Sequence, residues 1–266
     1  MCGSPKRLKS LNRTRHDPRI FYPFRWGHHP VLRDRIRELH GKIMPHDTTL
    51  IEGLDRSILV DPRRLHLTIG VMALSAENLT PNTSAAGSLI SPGRTVSDAI
   101  ALLQSLGPEI DSITREPLQL TLDKMGVLKT QRQQAGVLYV GPSDEVNEDT
   151  TKVTRIFELV GQRFRQEGFI EEAARPAVLH CTLINASHRK PRRIPRTFSY
   201  REIFDCASGD ANGSETPLAQ SSAPLGSSVR VDFGTWAVTE IQLCKMGSHG
   251  PENEYISLAS VPVGRN

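Results

Sequence analysis

The sequence lacks the features of a membrane-spanning, secreted or zinc-stabilised protein. Its 266 residues contain no run of the roughly 18 apolar residues that a membrane helix needs. Residues 1–10 contain no apolar run typical of a secretory signal. The four cysteines are scattered and form no CxxC pair, so neither a disulfide framework nor a structural zinc site is expected. We therefore expect a soluble protein of the nucleus or cytoplasm, with reduced thiols and no membrane partner.

Positive charge is present but concentrated in two segments. Residues 1–40 hold ten Lys and Arg against three acidic residues, and residues 186–201 hold six against none. The whole chain has a net charge of only +4, so the remainder is acidic. A basic edge on an acidic body favours an anionic partner such as nucleic acid. The alternative for residues 1–20 is a solubilising or targeting tail.

The composition predicts one domain over residues 29–263, preceded by a basic tail at residues 1–28. Two stretches rich in Ser, Gly, Pro and Asn indicate loop insertions, at residues 80–94 and 207–228. No repeat of solenoid length divides the chain further.

Hydrophobic patterning predicts a mixed order of helices and strands. Apolar stripes of helical period predict three helices, at residues 30–44, 96–106 and 145–167. Short β-rich runs bounded by turn residues predict six strands, at residues 65–74, 117–125, 136–140, 177–185, 229–243 and 254–263. This order predicts an α+β fold with helices packed on antiparallel sheet. Pro23 and Arg25 argue against a central strand at residues 20–26.

One five-residue pattern occurs twice. Residues 65–69 read Leu-His-Leu-Thr-Ile, and residues 179–183 read Leu-His-Cys-Thr-Leu. Because side chains alternate along a strand, each copy should present its His and Thr on one face and its apolar residues, including Cys181, on the other. A single His-x-Thr is usually structural, but two full copies in strand-like segments favour a shared function.

The two copies supply the groups that phosphodiester cleavage needs in the absence of a metal. One group must accept a proton from the attacking oxygen and another must donate a proton to the leaving oxygen. Imidazole, with an ordinary pKa of about 6.5, performs either role near neutral pH. Hydroxyls can donate hydrogen bonds to the non-bridging phosphate oxygens. His66 and His180 are therefore candidate catalytic residues, and Thr68 and Thr182 candidate phosphate-binding residues.

These motifs resemble those of the 2H phosphoesterase superfamily, which is named for two H-x-[ST]-x motifs. Residues 29–44, 62–74 and 232–247 resemble the branch that contains the A-kinase anchor protein 7 domain and activating signal cointegrator 1 complex subunit 1. The resemblance implies a bilobal fold of two pseudo-symmetric halves of antiparallel sheet with packed helices. It also implies a central cleft lined by the four motif residues, and a nucleotide or RNA substrate with a 2′-linked or terminal phosphate. No cofactor is expected.

Two other groups of residues are weaker candidates. The basic run after the second motif could contact RNA through Arg189, Arg192 and Arg193, or could equally be a solvated loop or a nuclear-import signal. The first half of the chain also contains a loose group of histidines, His28, His29, His40 and His46. Because this group lacks acidic or Cys partners at ligand spacing, no metal site is expected there.

Two functions from different classes remain open. The first is a metal-independent 2H-type phosphoesterase acting on RNA or on 2′-phosphorylated or 2′-5′-linked nucleotides. The alternative is a non-catalytic nucleotide- or RNA-binding module in a transcription-coactivator or repair assembly. Four intact motif residues favour the enzyme, because binding alone requires no pair of proton-transfer groups. The motifs do not show whether the reaction is hydrolysis or ligation. They also do not show which histidine acts as the general acid and which as the general base.

Overall fold

The computed structural model describes residues 19–47, 49–74, 94–145, 147–170, 178–191, 195–208 and 228–264. Within these ranges the chain forms twelve strands and five α-helices. The strands are β1 (Arg19–Arg25), β2 (His66–Ala73), β3 (Leu118–Thr121), β4 (Lys124–Leu128), β5 (Gln134–Ala135), β6 (Val137–Gly141), β7 (Cys181–Asn185), β8 (Phe198–Ser199), β9 (Ser228–Arg230), β10 (Thr235–Val238), β11 (Glu240–Lys245) and β12 (Ser257–Pro262). The helices are α1 (Pro30–Ile43), α2 (Val96–Ser105), α3 (Gly107–Ile113), α4 (Glu148–Gln166) and α5 (Arg201–Ser208).

Eight of the strands form one antiparallel sheet in the order β12-β11-β1-β2-β7-β6-β4-β9. The sheet consists of two four-stranded halves, and the inner strands β2 and β7 join them where Leu67 pairs with Cys181. Strands β3 and β10 form a separate two-stranded sheet, as do β5 and β8. The expected α+β fold, with two halves of antiparallel sheet, is confirmed.

Helices α1 and α4 share the hydrophobic core that covers one face of this sheet. The stripe of α1 that the sequence predicts is buried, and consists of Leu32, Ile36, Leu39 and Ile43. It shares one hydrophobic core with the buried stripe of α4 and with Leu65, Leu67 and Leu183 of the motif segments. The alternate side chains of the motif segments therefore lie on the opposite face, away from the helices. No helix in the described ranges is both long enough and apolar enough to span a membrane.

Two expectations about the segment that forms β1 were wrong. Residues 19–28 were expected to belong to the basic tail, but they form β1 and the turn after it. Pro23 and Arg25 argued against a central strand, but β1 contains both and lies between β11 and β2. The proline is tolerated because the pairing of β1 with β2 shifts register between Tyr22 and Pro23, and the residues paired with β11 precede it.

Other element boundaries also differ from the sequence-based prediction. Segment 117–125 contains two strands in different sheets, β3 and β4, and segment 229–243 contains β9, β10 and β11. Gly107 begins a new helix, α3, with a proline in its first turn, where we expected the chain to leave the helix. Helix α5 was not predicted. The expected insertions at 80–94 and 207–228 lie outside the described residues, apart from Arg94 and residues 207, 208 and 228.

Candidate active site

The four motif residues come together at the centre of the sheet, where β2 meets β7. Because Leu67 pairs with Cys181 in an antiparallel register, His66 lies next to Thr182 and Thr68 lies next to His180. The four polar side chains are all partly exposed. Five of the six apolar residues between and beside them are buried, namely Leu65, Leu67, Leu179, Cys181 and Leu183, and the sixth, Ile69, is partly buried against the same core. The structure therefore places both imidazoles and both hydroxyls on one open face.

Both imidazoles are held by the same local contact. Nδ1 of His66 lies 2.6 Å from the carbonyl oxygen of Arg64, and Nδ1 of His180 lies 2.7 Å from the carbonyl oxygen of Val178. A carbonyl oxygen only accepts a hydrogen bond, so Nδ1 must carry the proton in each ring. In the neutral ring Nε2 is then left as a proton acceptor. The two halves of the sheet thus orient their histidines in equivalent ways.

His66 lies in a packed aromatic environment. Its ring centroid is 4.9 Å from that of Phe21 and 5.3 Å from that of Tyr255, whose ring is edge-on. The guanidinium of Arg64 lies 3.6 Å above the Tyr255 ring and donates hydrogen bonds to the carbonyl oxygens of Ser248 and Asn253. Arg64 therefore anchors the loop between β11 and β12 and holds Tyr255 against the histidine.

This environment keeps His66 neutral. Burial lowers the pKa of His66 to about 4, and the positive charges of Arg64, His180 and Arg25 act in the same direction. The hydrogen bond to the Arg64 carbonyl opposes the shift, since it favours the charged ring. At pH 7 the ring is therefore an unprotonated base.

His180 is flanked by Tyr139 of β6, whose ring centroid lies 5.7 Å away. Tyr139 pairs with Thr182 on one side and with Gly126 of β4 on the other. A Cβ atom at Gly126 would lie 2.5 Å from the Tyr139 hydroxyl, so the ring has room only because residue 126 is glycine. Tyr139 forms the wall of the site on the His180 side.

The model of the AKAP7 2′5′ RNA ligase-like domain family matches residues 24–263. The chain belongs to this family. No curated protein matches it significantly.

Solved structures share the fold of this AKAP7-like domain at low sequence identity. One is the crystal structure of a phosphoesterase, with 16% identity, a TM-score of 0.51, and coverage of 94% of this chain and 99% of that one. E. coli LigT complexed with 3′-AMP is 17% identical, with a TM-score of 0.50 and the same coverage. LigT complexed with NADP+ is 16% identical, again with a TM-score of 0.50, 94% of this chain and 99% of that chain. These similarities show a LigT-like fold.

The cysteine inside the second motif of the AKAP7-like domain belongs to the core. Cys181 is 1% exposed and packs in the same hydrophobic core as Leu67 and Leu183. Burial raises the pKa of its thiol to about 12. The thiolate is the reactive form, so Cys181 is not a nucleophile at neutral pH.

Arg189, the first residue of the basic run, does not make the RNA contact expected of it. The Arg189 side chain is buried, forms an ion pair with the Asp55 carboxylate and donates a hydrogen bond to the carbonyl oxygen of Gly53 at 2.5 Å. Arg189 therefore ties the turn after β7 to the segment before β2, and it is not available to RNA. Arg192 and Arg193 lie outside the described residues.

The histidines of the loose group do not converge. The rings of His28 and His29 contact each other, with centroids 4.0 Å apart and ring planes tilted by 40°. His40 is largely buried in α1, and its burial lowers its pKa to about 4, whereas His46 is exposed in the turn after α1. Within the described ranges, no three His, Cys, Asp or Glu side chains are grouped closely enough to hold a metal ion.

Sequence reasoning missed the residues that surround the motifs, among them Phe21, Arg25, Tyr139 and Tyr255. Each reaches the site through strand pairing or a loop that the sequence pattern does not specify. The sequence offered only a weak signal for these residues, because each is simply an aromatic or charged residue in a segment that the fold places next to a motif strand.

Proposed function

We propose that this protein is a metal-independent 2H-type phosphodiesterase of the nucleus or cytoplasm. Its substrates would be RNA or 2′-phosphorylated or 2′-5′-linked nucleotides. The observation that carries the proposal is the juxtaposition of two His/Thr pairs on adjacent strands, with each Nδ1 bonded to a backbone carbonyl. Family membership and the LigT-like fold support a 2H phosphoesterase or RNA-ligase-like function.

In this proposal the two histidines have different roles. His66 is the general base, because its lowered pKa leaves Nε2 free to accept the proton of the attacking oxygen. His180 is the general acid, which donates the Nε2 proton of its imidazolium form to the leaving oxygen as the P–O bond breaks. The new P–O bond forms to the attacking oxygen, so atoms and protons balance.

The threonines act on the phosphate itself. Thr68 and Thr182 lie beside His180 and His66 respectively, on the same open face. Their hydroxyls donate hydrogen bonds to the non-bridging oxygens, on which negative charge is concentrated in the transition state. Losing either hydroxyl should cost less than losing a proton-transfer group.

A nucleotide substrate is supported by the relatives. LigT, whose fold this chain shares, has been solved in complexes with 3′-AMP and with NADP+. Both ligands carry a phosphate on a ribose, which is the group that a His/Thr quartet would hold.

The test is a screen of defined 2′-5′ and 3′-5′ oligonucleotides and cyclic phosphates in the presence of a chelator. The proteins compared are wild type, a His66→Gln/His180→Gln double variant, and a control His46→Gln, which changes an exposed histidine outside the site. We expect wild type and the control to turn over at least one substrate and the double variant to turn over none.

A different outcome would favour the binding module. If wild type binds a nucleotide but turns over no substrate, and the double variant keeps that affinity, the histidines do not perform proton transfer. The site would then serve recognition within a coactivator or repair assembly.

A further inference from the structure

An irregularity in the β1–β2 pairing selects the side chain that lies beside His66. Pairing runs in step from Arg19 opposite Ala73 to Tyr22 opposite Gly70. Pro23 then pairs with Thr68, so β2 has one extra residue, Ile69. Such a bulge shifts every later pair by one position.

Because of this shift in register, a cationic residue and not an aromatic residue lies opposite His66. With the bulge, Arg25 pairs with His66, whereas an unbroken register would place Trp26 there. Trp26 is instead fully buried, and its indole N–H donates to the carbonyl oxygen of Ala237 at 2.9 Å. Arg25 is partly exposed, on the same face as the imidazole.

The Arg25 guanidinium is held in a fixed position but keeps most of its donors. Nη1 donates to the Gln242 side-chain oxygen at 2.9 Å, and the Gln242 amide in turn donates to the Glu240 carboxylate. Gln242 is only 8% exposed, so this support is rigid. Among the residues that the structure describes, no carboxylate forms an ion pair with Arg25. A guanidinium has five N–H donors. The bond to Gln242 uses one, and a second contact is made with the Cys244 thiol, so the remaining donors are available to a ligand.

The direction of Arg25 decides which phosphate it can reach. Neighbouring strands are about 4.8 Å apart, and the reacting phosphate would lie above β2 and β7. Gln242 belongs to β11, on the far side of β1, so the guanidinium is drawn away from His66. The separation from the reacting phosphate is about two strand spacings, roughly 10 Å, which exceeds hydrogen-bond distance.

The other half of the sheet has no equivalent group. Val140 pairs with Cys181, so the next residue, Gly141, lies beside His180 where Arg25 lies beside His66. A Cβ atom at Gly141 would lie 2.3 Å from the Leu179 carbonyl oxygen, so no side chain fits there. Among the described residues, the strand neighbour of His180 therefore supplies no charge equivalent to that of Arg25.

We propose that Arg25 binds a second phosphate of the substrate, which flanks the phosphate held between His66 and His180. The substrate class is then an oligonucleotide, or a nucleotide with two separated phosphates, oriented with its additional phosphate toward β1. This inference rests on the proposed function and deepens it.

The test has a kinetic arm and a binding arm on the full chain. The kinetic arm compares a cleavable dinucleotide with and without a phosphate beyond the scissile linkage. The binding arm compares 3′-AMP with adenosine 3′,5′-bisphosphate by calorimetry, and so gives a result even if no turnover is found. The variants are Arg25→Met, Arg25→Lys and, as a matched loss of charge, Arg35→Met. Arg35 is a partly exposed arginine of α1 whose side chain pairs with Asp232.

We expect wild type to prefer the ligand with the second phosphate by roughly tenfold in KM and in Kd, which is the scale of one charge-assisted hydrogen bond. Arg25→Met should abolish that preference with little change in kcat, Arg25→Lys should restore part of it, and Arg35→Met should leave it intact. A wild type without the preference would overturn the proposal. So would an Arg25→Met variant that weakens both ligands equally, which would make Arg25 a structural link from β1 to β11. If wild type turns over neither substrate but still binds the ligand with the second phosphate more tightly, the phosphodiesterase proposal fails and the role of Arg25 stands.

Discussion

The folded protein should lose stability steeply as the pH falls from 6.5 toward 4. Burial lowers the pKa values of both His66 and His40 from the ordinary 6.5 to about 4. Between these values the unfolded chain binds protons that the folded chain does not bind, so protonation favours unfolding. About one pH unit above 6.5 both histidines are almost entirely neutral in both states, and the effect vanishes.

The magnitude follows from the two pKa values. At pH 4.5, a histidine with a folded pKa of about 4 and an unfolded pKa of about 6.5 destabilises the fold by at most about 2.5 kcal/mol. Two such residues together cost about 5 kcal/mol, which is comparable with the whole stability of many domains. Burial also lowers the pKa values of His28, His29 and His188, which act in the same direction.

Urea unfolding at pH 7 and at pH 4.5 measures this contribution. The proteins compared are wild type, His66→Gln and His40→Gln, so that the carboxylate contributions common to all three cancel. Each variant should lose about 2 kcal/mol less stability than wild type between the two pH values. Equal losses in all three proteins would refute the argument that the fold holds these two rings in their neutral form.

Three further predictions concern residues around the site. Cys181→Ala should keep its turnover while losing about 1–2 kcal/mol of stability in urea unfolding, because the thiol is a core group; loss of turnover in the folded variant would contradict this. Arg189→Met should cost about 2 kcal/mol by removing the cation that pairs with Asp55, which keeps its hydrogen bonds from Ser57, and should not change the salt dependence of RNA binding; a flatter salt dependence would restore Arg189 as an RNA contact. Gly126→Ala should displace Tyr139 and lower turnover, while Gly41→Ala, whose added Cβ meets nothing within 4 Å, should not; equal turnover in both variants would show that Tyr139 does not shape the site.

The local features of the fold could be predicted from the sequence. Alternation along a strand is enough to place His66 with Thr68 and to bury Cys181 on the other face. Helical periodicity is enough to place α1 and its buried stripe. Both signals depend only on neighbouring residues, so tertiary structure does not alter them.

The features that depend on long-range pairing could not be predicted. The single-residue bulge opposite Pro23 decides that Arg25 and not Trp26 lies beside His66, and no local pattern in β1 specifies it. The burial of Arg189 depends on Asp55, which is 134 residues away in the sequence. From sequence alone Arg189 resembled the other basic residues of its segment, because nothing nearby identifies its partner.

The claim that His66 and His180 act as one proton-transfer pair is tested most directly by a double-mutant cycle on kcat/KM. The enzymes are wild type, His66→Gln, His180→Gln and the double variant, assayed on one cleavable substrate with a chelator present. Each single change should lower kcat/KM by about 10² to 10⁴, and the double variant should lose much less than the product of the two single losses. Turnover that survives either single change at the wild-type rate would contradict the account.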